Sequence, residues 1–439
     1  MAQDIRLKKG QKIKLMDNRT VTVTDKIGQG GQGIVYKVRI DATREERALK
    51  WYFPDSMEDQ NKFYENIRQN IQNGALSPAF AWPEQMTERM NGTFGYIMQL
   101  FPKEYVEFTR FLMAKASFKN TAAIVDAAIN IVTAFMKLHD AGYNYQDIND
   151  GSFAFDPQTG NALICDTDNI SGHGYYSGVL GKERYMAPEV VRGETMPNKV
   201  TDRFSLAVIL FLLLVGDHPL EGAMTNVPVL TNKYEKRFFG EKPLFIFDEY
   251  DSSNMPIQGK NINALRMWPY FPAYIQKAFR RSFSQESLLK AEGRLLEKQW
   301  MHLLARLKSS IVKCPHCGDE IFLESSGQTL CSNCRGRIRP AGYLDFTKRR
   351  GNIPVRIPVY EGAVLYACHI DESSEDYHTE AARVIVKPDK YGLENLSGNK
   401  WIVTIGDRTS VRDPGSVVVL TEGMHIDFGG GTAADVAPG

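Results

Sequence analysis

Gly28, Gly30 and Gly33 are spaced GxGxxG, a pattern whose missing side chains let a backbone approach phosphate oxygens and offer them N–H groups. Seventeen residues after Gly33, Lys50 ends the run Ala48-Leu49-Lys50. By itself such a lysine reads as a strand-end charge facing water. Two acids follow far along the chain: Asp147, in Tyr145-Gln146-Asp147, and nineteen residues later Asp166, behind Ile164-Cys165. Each alone reads as a turn or cap residue, but two at this spacing, behind a glycine loop and a lysine, form a pattern. A separate chemistry sits in Cys314-x-x-Cys317 and Cys331-x-x-Cys334, thirteen residues apart. Each knuckle aims two thiolates at one point, and two knuckles make a tetrahedral soft-metal site, zinc before iron. Four cysteines suffice, so His316 is expected to stay exposed.

The elements that must position these groups are legible from periodicity. Val21–Val23, Ile34–Val38, Arg47–Lys50 and Phe94–Leu100 read as strands. The glycines therefore lie between strands, not before a helix, which argues against a dinucleotide site. Met57–Asn73 carries Phe63, Ile67 and Ile71 four apart and reads as one amphipathic helix. After Lys119 the period becomes helical (Ile124, Ala128, Ile131, Phe135, Leu138), and Leu206–Val215, Tyr274–Phe283 and Leu295–Lys308 follow. This predicts a β-rich small lobe (11–101) and a larger helical lobe (102–308). Beyond them come the cysteine cluster (311–341) and regular short strands at 383–386, 401–405, 416–420 and 425–428, which predict a small all-β sandwich over 352–433. The Gly/Ala-rich tail after Gly429 is expected to be disordered.

Composition sets the bounds. A chain of 439 residues, 43% hydrophobic, has room for about three domains with buried cores. A formal charge of +1 points to no polyanion partner. Leu206–Val215, the longest apolar run, is about half a membrane span, and the start of the chain lacks an apolar signal segment. A cytoplasmic protein is expected, in which paired Cys-x-x-Cys means metal rather than disulfide.

With these elements in place, the motifs resemble those of eukaryotic-type serine/threonine protein kinases over about residues 11–308. The fold implied is α+β and bilobal, followed by the four-cysteine zinc ribbon and the sandwich. The resemblance implies Mg-ATP as cofactor and a protein hydroxyl as acceptor. Under it, Gly28, Gly30 and Gly33 cover the phosphates and Lys50 holds them. Glu65 on the following helix holds Lys50, with Glu58 as runner-up. Val35, Ala48 and Met98 line the adenine site, with Gln99, Leu100 and Phe101 as the hinge. Asp147 is implied as the acceptor-orienting carboxylate and Asp166 as the Mg ligand. Ala187-Pro188-Glu189 resembles the end of the activation segment, Asp202 the start of the central helix, and Arg294 the partner of Glu189.

Departures from the pattern are specific. Gln146 replaces the Arg before the catalytic Asp, which implies a loop that does not rely on phosphorylation. Asn149 replaces the loop Lys. Ser152 replaces the Asn that binds a second Mg, and a hydroxyl is a weaker ligand. Thr167-Asp168 replaces Phe-Gly, and Asp168 is either a substitute metal ligand or part of a polar loop. Two functions stay open: a working kinase, and a pseudokinase serving as an ATP-binding scaffold. The segment 243–269 and the altered loops resemble a bacterial kinase-like family that accompanies a metal-dependent phosphatase and a von Willebrand-A-type protein, as in tellurite-resistance-like triads. The structural alternative is an insertion that packs Phe245 and Trp268 into the core. Arg335, Arg337 and Arg339 with Lys348, Arg349 and Arg350 read as a solvated linker before a nucleic-acid surface. The last domain resembles a degenerate forkhead-associated fold through Leu393-x-Asn395-Leu396-Ser397. Its phosphothreonine-reading arginine motifs are not evident, so Asn395 is expected to brace a loop.

Overall fold

The computed structural model describes residues 6–54, 56–57, 59–172, 181–323, 329–346, 355–388 and 390–439. In the first half of Thr20–Gln29 and along Gly33–Ile40 alternate side chains (Val21, Val23; Ile34, Tyr36, Val38, Ile40) are buried, the period that lets a strand cover a core. These two strands sit in a six-stranded antiparallel sheet in the order Lys12–Lys14, Thr20–Gln29, Gly33–Ile40, Glu46–Tyr52, Gly95–Met98, Pro83–Met86. The helix against it is Gln60–Asn73, which starts three residues later than its apolar spacing suggests. Asp59 caps it, accepting from the N–H groups of Asn61 and Lys62, and so fixes its first turn.

The larger lobe is built on Thr121–Asp140, Lys199–Val215, Ala273–Ser282 and Glu297–Ser309. Thr121–Asp140 is long and apolar enough to cross a membrane by length and composition, but 56% of its most apolar window is buried within the protein. Lys199–Val215 is buried on nearly every side and opens on a capping box between Asn198 and Thr201. Phe245 and Trp268 do enter the core, and Trp268 stacks on Phe247 at 4.5 Å. The expected ion pair forms as a two-pronged contact: Arg294 reaches Glu189 at 2.7 and 2.8 Å and also donates to the carbonyls of Val200 and Ser287.

The cysteine segment consists of two small hairpins, Ile311–Lys313 with Glu320–Phe322 and Thr329–Leu330 with Arg337–Ile338. It rests on the large lobe, where Phe322 stacks on Phe271 and the Glu320 carboxylate accepts from Thr121 N at 2.6 Å. A carboxylate is favoured there by the positive end of the helix.

Behind it lies a two-sheet β-sandwich. One sheet has the order Val355–Val359, Gly342–Phe346, Ala433–Pro438, His425–Asp427, Trp401–Ile405, Arg408–Arg412; the other has Val364–Tyr366, Glu380–Lys387, Lys390–Asn395, Val417–Val419. The tail after Gly429 departs from its expected disorder. Ala433–Pro438 is an interior strand paired on both sides, because Ala434 and Val436 alternate inward. Its partner Gly342–Phe346 lies ahead of residue 352, so the sheet extends past both limits read from the sequence. Lys348, Arg349 and Arg350 lie outside the described residues.

Arg294→Ala would leave the nearly buried Glu189 carboxylate without its cation. The expected loss is about 3–5 kcal/mol of unfolding free energy, read from urea denaturation, and a loss below about 1 kcal/mol would show the pair to be dispensable.

Candidate functional site

Lys50 sits on the strand Glu46–Tyr52, opposite Val35 on one neighbour and Tyr96 on the other. Its side chain is buried, with Nζ 2.7 Å from Asp168 Oδ2, 3.1 Å from Asp166 Oδ1 and 3.3 Å from Gln32 Oε1. Burial works against a charged amine here, but the two carboxylates overrule it and keep Lys50 protonated well above the ordinary lysine range. Strand lysine and loop aspartate, 116 residues apart in sequence, thus meet where the lobes join.

The glycines divide by role. A Cβ on Gly33 would fall 2.3 Å from the Trp51 carbonyl, so Gly33 is demanded by strand packing; Gly28 and Gly30 face open space. Ala48, Met98 and Leu163 belong to one apolar cluster, joined by Val35 and Leu100, and Ala48 pairs directly with Met98. Gln99 continues the chain beyond that strand. Leu163 did not stand out in the sequence, because one leucine in an apolar strand carries no signal until the large lobe places it under the small one.

The structure does not bring Glu65 to Lys50. Glu65 points outward and pairs with Arg68 at 2.8 Å. The helical period gives the reason: residue 65 lies two positions from both Phe63 and Ile67, about 200° round from their buried stripe. Asn66 and Asn70 face inward instead, donating to the Ile170 carbonyl at 2.9 and 2.8 Å. Glu58 lies outside the described residues.

Asp147 is half-buried. Burial raises its pKa, the Asn149 side chain (3.0 Å) and the charges of Lys182 and Lys50 pull it down, and Asp166 pushes it up. Lys182, which sequence reading missed, reaches Asn149 Oδ1 and Asp150 Oδ1, both at 3.1 Å. An ammonium thus returns to the loop where Asn149 replaces lysine, supplied from a residue 33 positions away. The loop is held from beneath by Asp202, which accepts from Tyr145 N at 2.6 Å and Gln146 N at 3.3 Å. Gln146 donates its amide to the Ser171 hydroxyl, a neutral link at the position where kinases place arginine.

As a magnesium site the residues fit in part. Asp166, a left-handed residue (φ 51°) at the end of its strand, has a half-exposed carboxylate free to turn to a cation. Ser152 and Asp168 are fully enclosed: the Ser152 hydroxyl donates to the Asp147 carbonyl at 3.3 Å, and Asp168 Oδ2 is taken by Lys50 and by the Tyr52 hydroxyl. Ser152 Oγ and Asp168 Oδ2 are thus engaged by protein partners, whereas Asp168 Oδ1 has no hydrogen-bond partner among the described residues.

The four cysteine sulfurs lie within 4.8 Å of one another, with Cys314–Cys334 at 3.7 Å and Cys317–Cys331 at 3.6 Å. Zn–S bonds of about 2.3 Å in a tetrahedron place sulfurs roughly 3.8 Å apart, so the donor set fits zinc. His316 is exposed and outside the four-sulfur cluster. In the sandwich, Asn395 is buried, accepts from Ser397 and donates to the Asn399 carbonyl, which braces its loop.

A strand lysine paired with a loop aspartate, and a catalytic-loop acid suspended from the central helix, are the parts of a protein-kinase site. Residues 21–243, just over half of the chain, match the protein kinase domain family model, and the chain belongs to that family. It is similar to Serine/threonine-protein kinase AtPK2/AtPK19 of Arabidopsis thaliana, 25% identical over 205 residues, 46% of this chain and 42% of that protein. It is also similar to Protein kinase YegI of Escherichia coli (strain K12), 23% identical over 329 residues, 70% of this chain and 48% of that protein. The chain thus spans under half the length of either relative.

Two expectations follow. His139 bridges Asp202 and Glu297 at 3.1 and 2.9 Å; burial opposes its charge, but these bonds lift its pKa from 6.5 to about 9. A raised pKa stabilises fully below the unfolded value near 6.5 and fades as pH rises through about 9. His139→Gln should therefore cost on the order of 2–3 kcal/mol at pH 6 and progressively less toward pH 9.5, measured by denaturant titration; a pH-independent loss would exclude the charged bridge. Metal analysis should find about one zinc per chain, and replacing Cys314 and Cys317 by Ser should lower the melting temperature. An unchanged melting temperature would remove the metal from the fold.

Proposed function

We propose that this chain is an ATP-dependent protein serine/threonine kinase acting in the cytoplasm. The observation that carries the reading is the Lys50–Asp166 contact at 3.1 Å beside an Asp147 carboxyl that feels both charges. Bound Mg-ATP would supply the γ-phosphoryl group and a cation to neutralise its oxygens. Lys50 would hold the phosphates and Asp166 the metal. Asp147, half-buried and with its pKa raised, would orient an acceptor hydroxyl and take its proton. Lys182 would add positive charge on the acceptor side, in place of the lysine missing at Asn149. The adenine would lie among Val35, Ala48, Met98 and Leu163. Serine or threonine as acceptor follows the Arabidopsis thaliana relative, which is named a serine/threonine-protein kinase.

The neutral Gln146–Ser171 link supports competence without loop phosphorylation, since no arginine stands there to receive a phosphate. The resemblance to the bacterial kinase-like family makes a metal-dependent phosphatase and a von Willebrand-A-type protein the partners to test, and the four-cysteine module a zinc ribbon. A second reading, a pseudokinase scaffold, draws on one observation: Ser152 is enclosed and its hydroxyl is bonded to the Asp147 carbonyl, which weakens the case for a second metal.

Labelled ATP should transfer phosphate to the chain itself or to a protein acceptor. Asp147→Ala and Asp166→Ala should lower the rate at least about a hundredfold, and Lys182→Ala about tenfold with little change in KM for ATP. Transfer that persists in Asp147→Ala, or none from the wild type to any acceptor, would leave the scaffold reading.

A further inference from the structure

We propose that Asp168 is the positioning acid of this site: its carboxylate, steadied by Tyr52, fixes Lys50 for the phosphates, the task that the sequence pattern assigns to a glutamate on the helix Gln60–Asn73. This rests on the reading that Lys50 meets the phosphates of ATP. The helix has a single acid, Glu65, and it is turned to solvent against Arg68. The helix face toward the site carries Phe63, Asn66, Ile67 and Asn70, and its two amides are spent on main-chain carbonyls of the 166–170 loop.

Asp168 is fully excluded from solvent, and its Oδ2 receives both the Lys50 ammonium at 2.7 Å and the Tyr52 hydroxyl. Among the described residues Oδ1 is buried without a hydrogen-bond partner, so there the carboxylate is compensated through one oxygen. A buried charge held this way cannot easily leave its partner. Lys50 has three N–H donors, and they face three acceptors: Asp168, Asp166 and Gln32. Asp166 is half exposed and Gln32 lies in the glycine turn. Those two contacts can be exchanged for phosphate oxygens while the third stays. The anchor and the proposed metal ligand are then two residues apart on one loop, and the position of the amine is set by that loop.

The test compares Mg-ATP and adenosine affinities by calorimetry on the full chain, with melting temperatures alongside. Asp168→Asn, which keeps the volume, is expected to weaken Mg-ATP about tenfold or more and leave adenosine unchanged. Combined with Lys50→Met it is expected to weaken Mg-ATP no further than Lys50→Met alone. Wild-type Mg-ATP affinity in Asp168→Asn, equal losses for both ligands, additive losses in the double variant, or the same loss in Glu65→Gln would each overturn the proposal. Should Asp168→Asn not fold, Tyr52→Phe decides: roughly threefold weaker Mg-ATP with adenosine unchanged is expected, and unaltered Mg-ATP affinity overturns it. Affinity is read without phosphate transfer. A chain that binds Mg-ATP through Lys50 and Asp168 yet transfers nothing defeats the kinase reading alone. Phosphate transfer with an Asp168-independent affinity defeats this proposal alone, and a wild type that binds no Mg-ATP defeats both.

Discussion

A buried ammonium is the constraint from which the rest of the site follows. Lys50 lies inside a sheet, between the registers of Val35 and Tyr96, where a lone charge would be very costly. The compensation comes from the other lobe, through Asp166 and Asp168. The small sheet and the 166–170 loop therefore cannot be placed independently. Tyr52 completes the arrangement: burial and the neighbouring carboxylate keep its phenol protonated, so it donates to Asp168 and does not compete with it.

The catalytic loop is organised by a second buried charge system. Asp202, at the start of the central helix, accepts from two backbone N–H groups of the loop and from His139. His139 passes the link on to Glu297, which Arg203 also holds at 2.8 Å. Burial would raise the Glu297 pKa, but these bonds bring it down to about 2. The network joins three helices of the large lobe beneath Asp147. Over this frame the loop can depart from the usual kinase residues at 146, 149 and 152, because its backbone is positioned by groups outside it.

The modules after residue 310 add to the large lobe and leave the Lys50 junction alone. Lys308 pairs with Asp126 at 2.7 Å and lies over the Tyr366 ring, and His378 reaches the same Asp126 at 3.0 Å. Tyr366, Cys368 and Tyr377 of the sandwich join the hydrophobic core of the large lobe. The kinase domain thus carries a structured β-rich module packed against its large lobe.

Local sequence determined a good deal: the alternation that makes the small sheet, the Lys50, Asp147 and Asp166 positions, the Glu189–Arg294 pair and the four sulfurs. Each depends on short spacing or on a motif whose residues carry the chemistry themselves. The 63–67–71 spacing by itself turns Glu65 outward, whatever the motif implies. What only the tertiary structure decided is which distant groups complete a charge or a contact: Asp168 and Tyr52 at Lys50, Lys182 beside Asn149, Leu163 beneath Ala48, and Ala433–Pro438 as an interior strand. Tyr52 and Asp168, for one, lie 116 positions apart. The identity of such partners depends on register and burial across the lobe junction, which no local period encodes.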